Sequence, residues 1–138
     1  MTKVFLRWGP ALGLMLAIFL FSSQPKADIP DFGLWDLLVK KSAHILGYTL
    51  LGMAMARGVR GESPLTGRRL GAAFALTVLY AVSDEYHQTF VPGRGGNLWD
   101  VGVDALGATI GLGLLKWRLA RLRPPAAPSP SRFESSRR

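Results

Sequence analysis

No cysteine occurs among the 138 residues. Disulfides, thiolate metal sites and a cysteine nucleophile are therefore excluded. Acidic residues are also few, nine Asp and Glu against seventeen Lys and Arg, which leaves a net charge of +8. Only two histidines are present, His44 and His87. Ser22, Ser42 and Ser83 lie in no recognisable nucleophile motif. No internal repeat is evident, and the length accommodates one domain.

Charge is scarcest inside four apolar runs, Trp8 to Phe21, Ala43 to Ala56, Leu70 to Val82 and Val101 to Leu115. Each carries at most one charge (Asp104 in the last) or one histidine (His44 in the second). At 13 to 15 residues the runs are short of the roughly 18 expected of a membrane span. Buried helices of a small soluble bundle are the alternative, but such helices carry a polar stripe. The stretch from Leu70 to Tyr80 is apolar all round, and so is Val103 to Leu115 apart from Asp104. Extended by a turn into their flanks, the runs become helices of about 18 to 22 residues, long enough to span.

The basic residues alternate along the chain. The N-terminus (Lys3, Arg7), the connection holding Arg57, Arg60, Arg68 and Arg69 against Glu62, and the tail from Lys116 carry +2, +3 and +6. Residues 23–42 sum to zero and residues 83–104 to −3. The positive-inside rule then predicts an all-α, four-helix transmembrane bundle with both termini cytoplasmic, a multi-pass protein of the plasma membrane. The basic balance is accounted for by topology and anionic lipid heads, so no nucleic-acid partner is expected. Phe21-Ser22-Ser23-Gln24-Pro25 lacks a small-x-small cleavage site, so the first run is read as a retained anchor and not a signal peptide.

The expected helices run from about Val4 to Phe21, Leu37 to Arg57, Arg68 to Phe90 and Leu98 to Leu122. Gly9-Pro10 is expected to bend the first. Residues 22 to 35 form an outer connection, with Asp31 to Asp36 as an interfacial turn that rests Phe32 and Trp35 at headgroup depth. Gly58, Gly61, Pro64 and Gly67 mark an inner loop. Pro92 to Asn97 is a tight outer turn, and Asn97 is the expected cap of the fourth helix. Residues 1–122 form the transmembrane domain, and the Pro-, Ser- and Arg-rich segment 123–138 reads as a disordered cytoplasmic tail.

Helical spacing then selects a polar constellation. Lys41, His44 and Tyr48 share a face of the second helix. Asp84, His87 and Gln88 share one on the third, with Glu85 alongside. Asp100 and Asp104 lie one turn apart on the fourth, above the small strip Gly107, Ala108 and Gly111, which suits close helix approach. The alternating topology sends all three sets to outer helix ends, where they are expected to converge on one pocket beneath Arg94. The plainer reading of each group is structural. His44 is then a hydrogen-bonded interior histidine, Lys41 snorkels to the headgroups, and Asp84 and Glu85 pair with Arg94 or Lys41 to hold helix register.

Three ordered motifs stand out: Lys41-Ser-Ala-His44-x-x-x-Tyr48-x-x-Leu51-Gly52, Ser83-Asp84-Glu85-x-His87-Gln88-x-Phe90-x-Pro92-Gly93-Arg94, and Asp100-Val-x-x-Asp104-x-x-Gly107-x-x-x-Gly111. With Phe21 to Pro25 at the end of the first helix, they resemble the VanZ-like family over about Val4 to Leu115. The chain departs from it at Lys40, where many members are acidic, and at Asp104, where asparagine is frequent. The resemblance implies a small bacterial integral membrane protein. Its namesake is associated with low-level resistance to teicoplanin, which acts on cell-wall precursors at the outer face.

Three functions fit these residues. In the first, an outer pocket binds or modifies an envelope lipid or wall precursor: Lys41 and Arg94 contact phosphate, the carboxylates orient sugar or amine groups, and Tyr48, Gln88, Asp100 and Asp104 complete the binding set. In the second, a membrane enzyme acts on a lipid-linked phosphate or ester. His44 or His87 then serves as general acid or base beside Asp84 and Glu85, and Asp84, Glu85, Asp100 and Asp104 offer oxygens to a divalent metal. In the third, the cluster is an electrostatic lock in a structural or partner-binding subunit. The cofactor and any association between copies of the chain are left open by the sequence.

Overall fold

The computed structural model describes residues 2–25 and 34–122, with the backbone alone over residues 34–37. Among the described residues the secondary structure is helical throughout: α1 (Thr2–Ser22), α2 (Leu34–Arg60), α3 (Gly67–Gln88) and α4 (Leu98–Arg121). Each expected helix is present. The expected tail and the segment Asp31–Gly33 of the interfacial turn lie outside the described residues.

Two helix boundaries differ from expectation for identifiable reasons. α2 begins at Leu34, so Trp35 and Asp36 belong to its first turn and not to an interfacial loop. No Gly or Pro follows Gly33 until Gly47, so nothing there prevents the helix from starting early. At its other end α2 continues through Gly58 to Arg60. A Cβ on Gly58 would lie 2.7 Å from the Trp8 ring, so this glycine is a seat for an aromatic face and not a breaker. The break comes at Gly61, whose φ of 58° suits glycine. As expected, Asn97 caps α4, its side chain accepting from the Trp99 N–H at 3.0 Å.

Pro10 lies inside α1 and removes the donor that would serve the Leu6 carbonyl. Arg57 supplies it, its Nη2 donating to that oxygen at 3.1 Å. Arg7 reciprocates from α1 to the Gly58 carbonyl at 3.2 Å. These bonds tie the start of α1 to the end of α2.

α2 touches all three other helices, and its contact with α4 is the most extensive. The two run parallel, backbone against backbone. A Cβ on Gly107 would lie 2.6 Å from the Ile45 carbonyl oxygen, and one on Gly52 would lie 3.1 Å from that of Ala108. Gly111 meets the Thr49 carbonyl still more closely. Thr49 Oγ1 donates to the Gly107 carbonyl at 3.0 Å across the same seam. The small-residue strip read from the sequence thus seats α2. α1 is peripheral and makes no contact with α4 among the described residues.

The distribution of side chains is unlike that of a soluble bundle. The interior holds alanines (Ala11, Ala54, Ala56, Ala73, Ala81, Ala108) and a few larger apolar side chains, Tyr48, Leu51, Met55 and Leu112, together with Asp84, Glu85, Gln88 and Asp104. The exterior presents Phe5, Leu12, Leu16, Leu20, Leu79 and Leu114, with Phe21 77% exposed. Water does not tolerate so much apolar surface on a monomer, whereas acyl chains do. α1 and α4 are each long and apolar enough to cross a membrane, at about 31 and 36 Å of helix.

Candidate functional site

Up-and-down chain direction places the C-terminal ends of α1 and α3 beside the N-terminal ends of α2 and α4. Most of the polar side chains on these four ends are mutually committed. Lys41 of α2 pairs with Asp100 of α4. Asp84 accepts from Ser22 Oγ at 2.5 Å through one oxygen and from Gln88 Nε2 at 3.2 Å through the other. Glu85 accepts from the Asn97 backbone N–H at 2.9 Å and from Gln88 Nε2 at 3.3 Å. Arg94 donates to Gln88 Oε1 at 3.4 Å and to the Phe21 carbonyl at 3.3 Å, which places it over this end of the bundle.

A smaller set is incompletely partnered. His44 Nδ1 lies 3.0 Å from Asp104 Oδ1, and Asp104 is fully buried. The second oxygen of Asp104 and the hydroxyl of Tyr48 are buried without a hydrogen-bond partner among the described residues. Tyr48 is only 1% exposed and stacks 6.3 Å from the His44 ring, centroid to centroid. Leaving a polar atom buried and unpaired costs about 1–3 kcal/mol, so these two atoms call for a reason.

Spacing alone predicted one face for Asp84, His87 and Gln88. Asp84, Glu85 and Gln88 are the residues that bury, while half-buried His87 reaches α1 and its C-terminal end. Its Nε2 lies 3.0 Å from Ser23 Oγ, and its ring lies 4.6 Å from that of Phe19. Ser23 already donates to the Phe19 carbonyl at 2.6 Å, so in this arrangement His87 donates to the serine and does not deprotonate it. Lys41 pairs with Asp100, whereas the sequence reading offered it to Asp84 or Glu85. Ser22, Ser23 and Asn97 were absent from the predicted site. The signal that would have found the serines was the Phe21 to Pro25 motif at the end of α1.

Of the four carboxylates considered as oxygen ligands, Glu85 and Asp104 come together with His44, each offering a ligand atom within 4.8 Å of the others. Asp84 and Asp100 turn to Ser22, Gln88 and Lys41 instead. His44, Glu85 and Asp104 have the donor atoms to hold a cation.

Comparisons with curated proteins and with solved structures give no match. A family model described as VanZ/LLP1 matches residues 8–120, a span that takes in α2 and α3, most of α1 and α4, and every polar residue of the site. The chain belongs to the VanZ/LLP1 family.

Proposed function

We propose that the protein crosses the plasma membrane four times, with both termini in the cytoplasm, and binds the polar part of an envelope lipid or wall precursor in its outer leaflet. The observation that carries this reading is the pair of unpartnered buried atoms, Asp104 Oδ2 and the Tyr48 hydroxyl, next to His44. A lock between helices closes its hydrogen bonds, as Asp84 does with Ser22 and Gln88. Buried polar atoms that no side chain satisfies suit the polar groups of a ligand. Arg94 has guanidinium donors beyond those it uses and suits a phosphate. Lys41 is neutralised by Asp100 and contributes position more than charge. The remaining carboxylates suit hydroxyl or ammonium donors of a head group. The namesake's link to teicoplanin is consistent with a ligand on the wall-precursor side.

Binding is tested with purified protein in detergent, titrated with a fluorescent aminophospholipid and, separately, a polyprenyl-diphosphate-linked precursor. Arg94→Ala and Asp104→Asn are each expected to weaken one of these at least about tenfold, the scale of one hydrogen bond to a charged group. Unchanged affinity for both probes in both variants would overturn the reading.

Topology is tested independently, because a chain without cysteine accepts single reporters cleanly. A membrane-impermeant maleimide should label Gly95→Cys, at an open turn position, in intact spheroplasts. It should label exposed Glu62→Cys only after lysis. The opposite pattern would invert the bundle and remove the outer-leaflet assignment.

A further inference from the structure

We infer that His44, Glu85 and Asp104 form a binding site for one divalent transition-metal ion between α2, α3 and α4. The three residues come from three different helices, so their meeting is a product of the fold and not of local sequence. Their ligand atoms lie within 4.8 Å of one another. Ligands about 2.0–2.2 Å from a zinc ion lie roughly 3–4 Å apart, so side-chain adjustment of about 1 Å closes the site.

Two further observations suit a cation here. Asp104 is fully buried, yet its Oδ2 has no partner, and that oxygen belongs to the same carboxylate that His44 already engages. Among the described residues the three buried carboxylates take their hydrogen bonds from Ser22, Gln88, the Asn97 backbone and His44, and the one ion pair among these contacts, His44 with Asp104, requires a protonated imidazole. Lys41 is committed to Asp100, and Arg94 bonds Gln88 and the Phe21 carbonyl. Buried carboxylates are costly without a positive partner, and a metal ion is the most compact one.

The donor set selects the class of ion. One imidazole with two carboxylates suits zinc, manganese or iron(II) better than magnesium or calcium, which prefer oxygen throughout. Three protein ligands leave at least one coordination position open, and a phosphate oxygen is well matched to it. The inference shares its residues with the proposed lipid site but not its outcome. Zinc is retained if the lipid reading fails, and lipid binding through Arg94 persists if the metal reading fails.

The test uses full-length protein in detergent, stripped with chelator and dialysed against zinc, with zinc and protein quantified together. One equivalent is expected per chain. Glu85→Gln, Asp104→Asn and His44→Gln should each weaken binding on the order of 10- to 100-fold or more, while Glu62→Gln at the opposite end retains it. In the wild-type protein labelled with nitrogen-15 histidine, zinc should shift the ring signals of His44 and leave those of His87 in place. That spectrum decides the matter even where a variant fails to fold. Absence of saturable zinc, unchanged affinity in Asp104→Asn, or a shift confined to His87 would each overturn the site.

Discussion

Gly111→Ala is expected to destabilise the protein, although alanine is the better helix former. The added methyl would meet the Thr49 carbonyl well inside contact distance and the Thr49 Cα at 3.2 Å. Both are backbone atoms of α2, which cannot swing aside as a side chain would. Overpacking of this kind costs about 1–3 kcal/mol, more than the roughly 1 kcal/mol that alanine gains over glycine in a helix. Gly107→Ala meets the Ile45 carbonyl in the same way and should also strain the bond from Thr49 to the Gly107 carbonyl. Gly113→Ala is the internal control, because nothing lies near it on the same helix. Its melting temperature in detergent, read by circular dichroism, should match or exceed the wild-type value while those of Gly107→Ala and Gly111→Ala fall. Equal behaviour of the three would mean that α2 and α4 are not in this close register.

Asp84→Ala and Asp104→Asn are expected to part in opposite directions. Asp84 binds Ser22 on α1 and Gln88 on its own helix. Hydrogen bonds to a charged group contribute about 1.5–3 kcal/mol each, and relief of carboxylate burial offsets part of the loss. A net cost of about 2–3 kcal/mol follows, with α1 loosened first, since its direct contact with α3 is slight. Asp104→Asn retains an oxygen for His44 and has no second partner to lose, so stability is kept or raised while ligand binding is lost. A double-mutant cycle separates the terms. Ser22→Ala combined with Asp84→Ala should show a coupling of about 1 kcal/mol or more, and additive effects would remove Asp84 from the α1 attachment.

The four helices were legible because long runs almost empty of charge permit little else. The choice of bundle end was legible too, since alternating chain direction sends Lys41, His44, Asp84, Glu85, Asp100 and Asp104 to matching helix ends. Partner choice within that end was not. Periodicity gives a face but no azimuth against neighbours, so it could not distinguish Lys41 with Asp100 from Lys41 with Asp84 or Glu85. Nor could it tell His87, turned to Ser23, from Gln88, turned inward. Gly58 was misleading for the same reason: whether a glycine breaks a helix or seats a ring depends on Trp8, fifty residues earlier. The serines of α1 were overlooked because a hydroxyl carries no pattern until its carboxylate partner is known.

The peripheral seat of α1 has a consequence for biogenesis. The first helix leaves the ribosome before any of its neighbours, and α4, the last, never touches it. Its Ser22 hydroxyl therefore has no Asp84 to bond until more than sixty residues later in synthesis. The α1–α2 bonds can therefore form first, and the attachment of α1 through Asp84 is completed only once α3 has been made.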